Sequence, residues 1–195
     1  MEEPETAGKC ASSSPMMYEN GQKGLAGDRI SATIRNMKFV LIDKVVALTS
    51  GREIRAVKSV SLAEEYLADH FPTFPVLPGV LLLEGLVESA SWLVREHLGF
   101  TTSMVLLREA RNVKYKSFAA PGMQIEYLVE ARDIEPNLSS FAGTGTAGGE
   151  TIVEARFSLR HFNLADEDPR LAMVDGQVVE NLKNRWKLLY AGSRQ

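Results

Sequence analysis

His70-Phe71-Pro72-Thr73-Phe74-Pro75-Val76-Leu77-Pro78-Gly79-Val80-Leu81-Leu82-Leu83-Glu84 is the stretch that decides how this chain folds. Proline fixes φ, removes a backbone donor and pushes the residue before it towards extended conformations, so Pro72, Pro75 and Pro78 forbid regular structure between them. Beyond Gly79 the residues Val80 to Leu83 and Gly85 to Val87 are apolar on nearly every side, which predicts a buried helix. The residues predict that this helix runs from about Val80 to Leu98, with Gly99 as its C′ stop. At about 1.5 Å per residue it would span nearly 30 Å, roughly the width of a small domain. Glu84 lies on its second turn, and a buried ionisable group needs a partner or a reason to stay neutral.

Outward from this stretch the pattern turns to strands. Phe39 to Leu48 is dense in β-branched and aliphatic residues, Ser50-Gly51 marks a turn, and Glu53 to Val60 alternates as a return strand. After the helix, Ser103 to Leu107, Arg111 to Tyr115, Met123 to Asp133, Leu138 to Ala147 and Thr151 to Asn163 read as further strands. Pro121-Gly122, Pro136-Asn137 and Gly148-Gly149 separate them. The last three are antiparallel by their short connections. A hairpin, a long helix and a four- or five-strand meander predict an α+β domain in which one curved antiparallel sheet wraps one helix.

The ends differ from this middle. Residues 1–28 are rich in Glu, Ser, Gly, Pro and Ala, which predicts a disordered tail. Residues 29–165 form the predicted domain and 166–195 a C-terminal helical extension. There Val178, Val179, Leu182, Trp186, Leu189 and Tyr190 recur at helical spacing, with Lys183, Arg185 and Lys187 between them. The face packs on the body or a neighbouring subunit, the alternative being a basic surface for a membrane or an acidic partner.

Bulk composition narrows the function. The 195 residues are 45% hydrophobic and 24% charged with a net charge of −3, as in an ordinary globular protein, which disfavours nucleic acid as a partner. No apolar run approaches the roughly 18 residues of a membrane span, and the start shows no secretory pattern, so a cytoplasmic address is expected. The single Cys10 excludes an intramolecular disulfide and a cysteine-based metal site.

His70-Phe71-Pro72, Pro75, Pro78-Gly79-Val80-Leu81 and Glu84 resemble the active-site signature of the FabZ-type 3-hydroxyacyl-[acyl-carrier-protein] dehydratases, hotdog-fold enzymes of fatty-acid synthesis. Leu41-Ile42-Asp43-Lys44-Val45 is similar to that family's first strand, Arg55-Ala56-Val57-Lys58 to its second, and Lys114-Tyr115-Lys116 with Pro121-Gly122 to the strand and turn after the helix. The likeness covers about Phe39 to Phe162. It departs at Thr73, where the family usually has glycine, at Glu88, where it has glutamine, and at Met123, where it has aspartate.

The resemblance implies a hotdog fold and a homodimer, often built further into a trimer of dimers. His70 of one subunit would act beside Glu84 of the other. The substrate it implies is a (3R)-3-hydroxyacyl chain on the phosphopantetheine of acyl carrier protein, dehydrated to a trans-2-enoyl thioester without metal or organic cofactor. Loss of water from a β-hydroxy thioester needs a base, an acid and donors for the thioester oxygen. Histidine, with an ordinary pKa of about 6.5, suits the base. A desolvated Glu84 suits the acid. The backbone N–H groups of Gly79 and Val80, at a helix start, suit the oxygen. Glu88, one turn past Glu84, would face the substrate side and raise the pKa of one carboxyl of the pair. Lys114 and Lys116 are candidate contacts for the carrier protein. His97 and His161 are expected to be structural, and Asp43 with Lys44 a surface pair. The alternatives are a hotdog acyl thioesterase and a non-catalytic protein that binds acyl chains or the carrier protein.

Overall fold

Six antiparallel strands and one long helix, β1 (Lys44–Thr49), β2 (Glu53–Ser59), α1 (Gly79–His97), β3 (Met104–Tyr115), β4 (Gln124–Ile134), β5 (Leu138–Ala147) and β6 (Glu150–Phe162), build the body of the protein. A second helix, α2 (Ala172–Tyr190), follows two short 3-10 turns at Leu164–Asp166 and Pro169–Leu171. The computed structural model describes residues 40–64, 66, 67 and 73–191. The predicted tail, the lead-in before Phe39, Cys10 and His70 lie outside the described residues.

The sheet order is β1-β2-β4-β5-β6-β3, with every neighbouring pair antiparallel. β5 shows how the sheet makes its core. Ser139, Phe141, Gly143, Gly145 and Ala147 are buried, and the residues between them are half-exposed. The buried face meets α1, whose Leu82, Leu86, Val87, Ala90, Trp92, Leu93 and Val94 join the same apolar cluster as Tyr127, Val129, Phe141 and Phe157. This is the α+β hotdog arrangement.

Small residues set how closely α1 approaches the sheet. A Cβ placed on Gly85 would stand 2.4 Å from the Tyr127 ring, and one on Gly143 3.0 Å from Leu86. Ser89 and Ser91 bring no long side chain to this face, and each donates its hydroxyl to a carbonyl one turn earlier, Gly85 O at 2.7 Å and Val87 O at 2.8 Å. The helix ends as expected. Gly99 takes φ +65°, Phe100 N–H donates to Arg95 O at 2.7 Å, and Arg95 and His97 supply positive charge to the last turn.

Three expectations are corrected. The first strand begins at Lys44 rather than Phe39, because Leu41 and Ile42 are buried in an irregular lead-in. The two strands expected between Ser103 and Tyr115 are one, β3, broken in register by irregularities at Leu107/Glu109 and Arg111/Lys114. It is also no meander partner of β4: it crosses to the far edge and pairs with β6. Asn112, at the second irregularity, has φ +51°, a conformation Asn adopts more readily than most residues.

α2 packs on the body. Its Trp186 stacks on Trp92 of α1 with centroids 5.7 Å apart and on its own Tyr190 at 5.1 Å, and Phe100 leans on it at 6.4 Å. At its start the buried Asp175 carboxylate accepts from the N–H groups of Leu164 and Ala165, at 3.0 and 2.9 Å, and from the Ser103 hydroxyl. His161, fully buried on β6, lies 2.8 Å from Pro136 O through Nδ1 and 2.8 Å from the Ser139 hydroxyl through Nε2. Burial lowers its pKa, so it is a neutral structural ring.

Replacing Gly85 by Ala sets two effects against each other. Alanine favours a helix interior by about 1 kcal/mol, whereas overpacking a core costs about 1–3 kcal/mol. Tyr127 is 1% exposed and its ring cannot move aside easily, so the clash wins. A net destabilisation of about 1–2 kcal/mol is expected as a lower urea midpoint at unchanged slope. An equal or higher midpoint refutes this account of the helix–sheet contact.

Candidate active site

The proline loop delivers the start of α1 to a fixed place. Leu77 N–H donates to Ala119 O at 2.8 Å, which ties the loop exit to the connection between β3 and β4. Pro78 is the N-cap, and its carbonyl accepts from Leu81 N–H at 2.9 Å and Leu82 N–H at 3.2 Å. Gly79 and Val80 therefore precede the first bond of the helix, where N–H groups lack intrahelical partners. Glycine at 79 lets the Tyr115 ring come close. A Cβ there would stand 3.3 Å from the ring of Tyr115, itself 49% exposed at the end of β3.

The buried helix predicted from the sequence holds from Leu82 to Val94 and fails on one stripe at its start. Val80 is 69% exposed and Glu84 is exposed, so one stripe of the first two turns faces away from the core. Phe74 and Phe118 are also exposed, at 58% and 63%, and meet edge to face with centroids 5.8 Å apart. Together with Tyr115 they give the helix start an unusually apolar rim. Exposed apolar clusters of this kind mark binding surfaces.

Although Glu84 is exposed as a residue, protein still flanks its carboxyl. Burial first, and the neighbouring Glu88 second, push its pKa above the ordinary carboxylate value. The i, i+4 effect expected from the sequence is therefore present. The position of Glu88 is not the one expected. Its carboxylate turns inwards, where Oε2 accepts from Leu41 N–H at 2.8 Å and Oε1 from Arg185 Nη2 at 2.7 Å. It thus joins α1 to the lead-in of β1 and to α2, rather than standing free on the substrate side. Charge-assisted bonds of this kind contribute about 1.5–3 kcal/mol.

Behind the site lies a network that the sequence did not disclose. Lys58, 5% exposed on β2, reaches Glu64 at 2.6 Å and Asp43 at 3.3 Å, and Asp43 also accepts from Ser59 N–H at 2.7 Å. Asp43 is therefore the partner of Lys58, not of Lys44. Burial pulls the lysine pKa down, but the two carboxylates outweigh it and leave the value raised. This network fixes residues 43, 58 and 64 together just before the segment that leads to the proline loop. Tyr115 and Lys58 both stood in the quoted motifs, yet only a tertiary contact gives either of them a role.

Lys114, on the edge strand, and Lys116, just past its end, are exposed. Lys114 lines a groove of about 410 Å³ with Asn112, Arg132 and Arg156, and Lys116 pairs with Glu154 at 2.5 Å. Among the described residues no cluster of His, Cys, Asp and Glu could hold a metal ion, and no helix is long and apolar enough to cross a membrane.

The comparisons with known proteins agree with this geometry. Residues 34–156 match the family model of the FabA-like domain. The chain is 33% identical over 122 residues to a 3-hydroxyacyl-[acyl-carrier-protein] dehydratase FabZ of Gluconobacter oxydans, covering 62% of this chain and 72% of that one. It is also 33% identical over 123 residues to the protein of the same name from Rickettsia akari, covering 62% and 83%. Among solved structures, the dehydratase heterocomplex ApeI:P from Xenorhabdus doucetiae superposes with a TM-score of 0.56 at 17% identity, over 68% of this chain and 90% of that one, a likeness of fold.

Lys58→Met is expected to leave Asp43 and Glu64 facing each other without their shared cation. Removing one partner of a buried pair costs about 3–5 kcal/mol. The side chains of Asp43 and Glu64 are 40% and 25% exposed and can turn to solvent, which lowers the expectation to about 1–3 kcal/mol. Calorimetry would show a lower melting temperature, and an unchanged one refutes the structural role given to Lys58.

Proposed function

The chain belongs to the FabA-like family, and we propose that it dehydrates (3R)-3-hydroxyacyl-[acyl-carrier-protein] thioesters to trans-2-enoyl thioesters in fatty-acid or related lipid synthesis, with the cytoplasm as its compartment. The observation that carries this reading is Glu84. It is a carboxyl on an exposed, apolar-rimmed helix start, with its pKa raised by burial and by Glu88, so that it holds a proton longer than an ordinary glutamate.

In this reading His70 takes the proton α to the thioester carbonyl, and the electron pair moves onto the carbonyl oxygen. The N–H groups of Gly79 and Val80, at the positive end of the α1 dipole, stabilise that charge. The pair then returns to form the Cα–Cβ double bond, and the C–O bond at Cβ breaks. Glu84 gives its proton to the departing hydroxyl, which leaves as water. The step balances with no oxidant, reductant or metal. His70 regains its resting state by releasing the proton that Glu84 needs back.

A second copy of the chain is part of the proposal, as a homodimer that can assemble into a trimer of dimers. Two features support it. Phe74, Val80, Tyr115 and Phe118 are exposed around the helix start, and β3 lies at a sheet edge, where a strand is open to pairing. His70 of one protomer would then serve Glu84 of the other. Lys114, on the edge strand, and Lys116, just past its end, are the proposed contacts for the acyl carrier protein.

With 3-hydroxyacyl chains loaded on acyl carrier protein, the protein is expected to form enoyl thioester without releasing free acid. Glu84→Gln and His70→Ala should each lower the rate by at least about 10²-fold, the usual worth of a general acid or base. Their melting temperatures and dimer mass should not change. Free acid as the main product, or full dehydration by Glu84→Gln, would overturn the proposal.

A further inference from the structure

α2 lies outside the residues that match the FabA-like model, yet one of its side chains reaches the carboxylate beside the proposed acid. Arg185 and Glu88 are 97 positions apart in sequence and 2.7 Å apart in space. We propose that Arg185 is a positioning residue for the dehydration, fixing Glu88 as a carboxylate one helical turn from Glu84. This rests on the reading of Glu84 as the acid and deepens it.

Three observations carry the proposal. First, the two oxygens of Glu88 accept from different groups, Oε1 from a guanidinium and Oε2 from a backbone N–H, and neither donor can accept a proton in return. The arrangement suits an ionised carboxylate. Second, Arg185 is held where it is by more than its charge. Its guanidinium lies 5.7 Å from the centroid of the Trp92 ring, and the next residue, Trp186, stacks on the same ring. Third, residues at i and i+4 on a helix are neighbours, so the charge on Glu88 acts directly on Glu84.

The surrounding groups favour Arg185 as the deciding one. On α1 itself Arg95 also lies over the Trp92 ring, 5.6 Å from its centroid. Burial lowers its pKa to about 10, so it remains a cation through the neutral range. From β4 the buried Tyr127 faces Glu88, and burial raises its phenol pKa, so it remains neutral. For Glu88, burial pushes the pKa up, and Arg185 first, then Leu41 N–H, the Trp92 indole and Arg95, pull it only part of the way back, so it stays above the ordinary carboxylate value. Without Arg185 the Glu88 carboxyl would take up a proton more readily, and its contribution to the raised Glu84 pKa, second to that of burial, would weaken.

The sign of the effect on catalysis follows. An acid must be protonated to act, so activity falls as pH rises through its pKa. Losing charge at 88 makes Glu84 easier to ionise and moves that alkaline limb to lower pH. A charge one helical turn away, partly screened by solvent, is worth about 0.5–1 pH unit.

The test is the pH profile of kcat/KM on 3-hydroxyacyl-[acyl-carrier-protein] for the full chain and for Arg185→Gln, Arg185→Lys, Glu88→Gln and the Arg185→Gln/Glu88→Gln double variant. Arg185→Gln and Glu88→Gln should each move the alkaline limb down by about 0.5–1 unit, Arg185→Lys should restore most of it, and the double variant should add nothing to Glu88→Gln. A uniform fall in rate with the limb unmoved would mean that Arg185 only holds α2 in place, and would overturn the inference. Titration of the Glu84 carboxyl carbon by NMR in the same substrate-free proteins separates the two readings. If Glu84→Gln keeps its activity but the Glu84 titration still moves in Arg185→Gln, the catalytic reading fails and the electrostatic link stands. If the titration does not move, the inference fails whatever the activity. Should Arg185→Gln not fold, Glu88→Gln alone decides: an unmoved limb and an unmoved titration refute the link.

Discussion

The contact between Gly85 and Tyr127 governs the rest of this structure. A helix wrapped by a sheet can come no closer than its largest facing side chain allows, and at Gly85 there is none. The Tyr127 ring fills the space that a Cβ would take. With that point fixed, the rotation of α1 about its axis is fixed too, because about 100° separate successive residues. Glu84 turns towards the apolar rim of the helix start, and Glu88 turns under the lead-in of β1. One close approach therefore decides which of two carboxyls is exposed and which is held inside.

The two carboxyls then take different roles by environment alone, although they have the same chemistry and share a helix. Glu88 meets donors on both oxygens, which offset part of the rise in pKa that its burial causes. Glu84 meets no such donors among the described contacts and feels burial and the charge of Glu88, both of which favour its protonated form. Both carboxyls bind a proton more tightly than an ordinary glutamate, but only Glu88 has donors that draw it back towards the ionised form.

Much of the fold was legible because its signals are local. The helix and its Gly99 stop, the hairpin, and β4 to β6 follow from alternation, turn residues and helical periodicity, and the spacing of His70, Glu84 and the prolines carried the family. What failed shares one cause. β3 lies at an edge with little buried surface, and its irregularities at Leu107/Glu109 and Arg111/Lys114 break the period of two, so it read as two short strands with a gap. In the apolar run from Val80 to Leu83, Leu82 is buried and Leu81 and Leu83 pack against the core, while Val80 is exposed, a distinction that hydropathy within a uniformly apolar run does not report. The Lys58 network and the Arg185–Glu88 pair join residues distant in sequence, and no period or motif reports them.

The departure at Glu88 and the presence of α2 can be understood together. A glutamine at this position can take two neighbours without carrying charge, whereas a carboxylate buried there would be costly on its own. In this chain the carboxylate comes with a guanidinium that reaches it from a helix beyond the matched domain, and with an aromatic stack that holds the guanidinium in range. Trp186 and Arg185 are adjacent, so the same turn of α2 supplies both the packing and the charge. The apolar face of α2 packs on the body of the protein, as its helical spacing predicted, with Trp186 against Trp92 and Leu189 in the core. Its consequence lies on α1, where a guanidinium from a segment outside the hotdog sheet offsets part of the cost of a carboxylate one turn from Glu84.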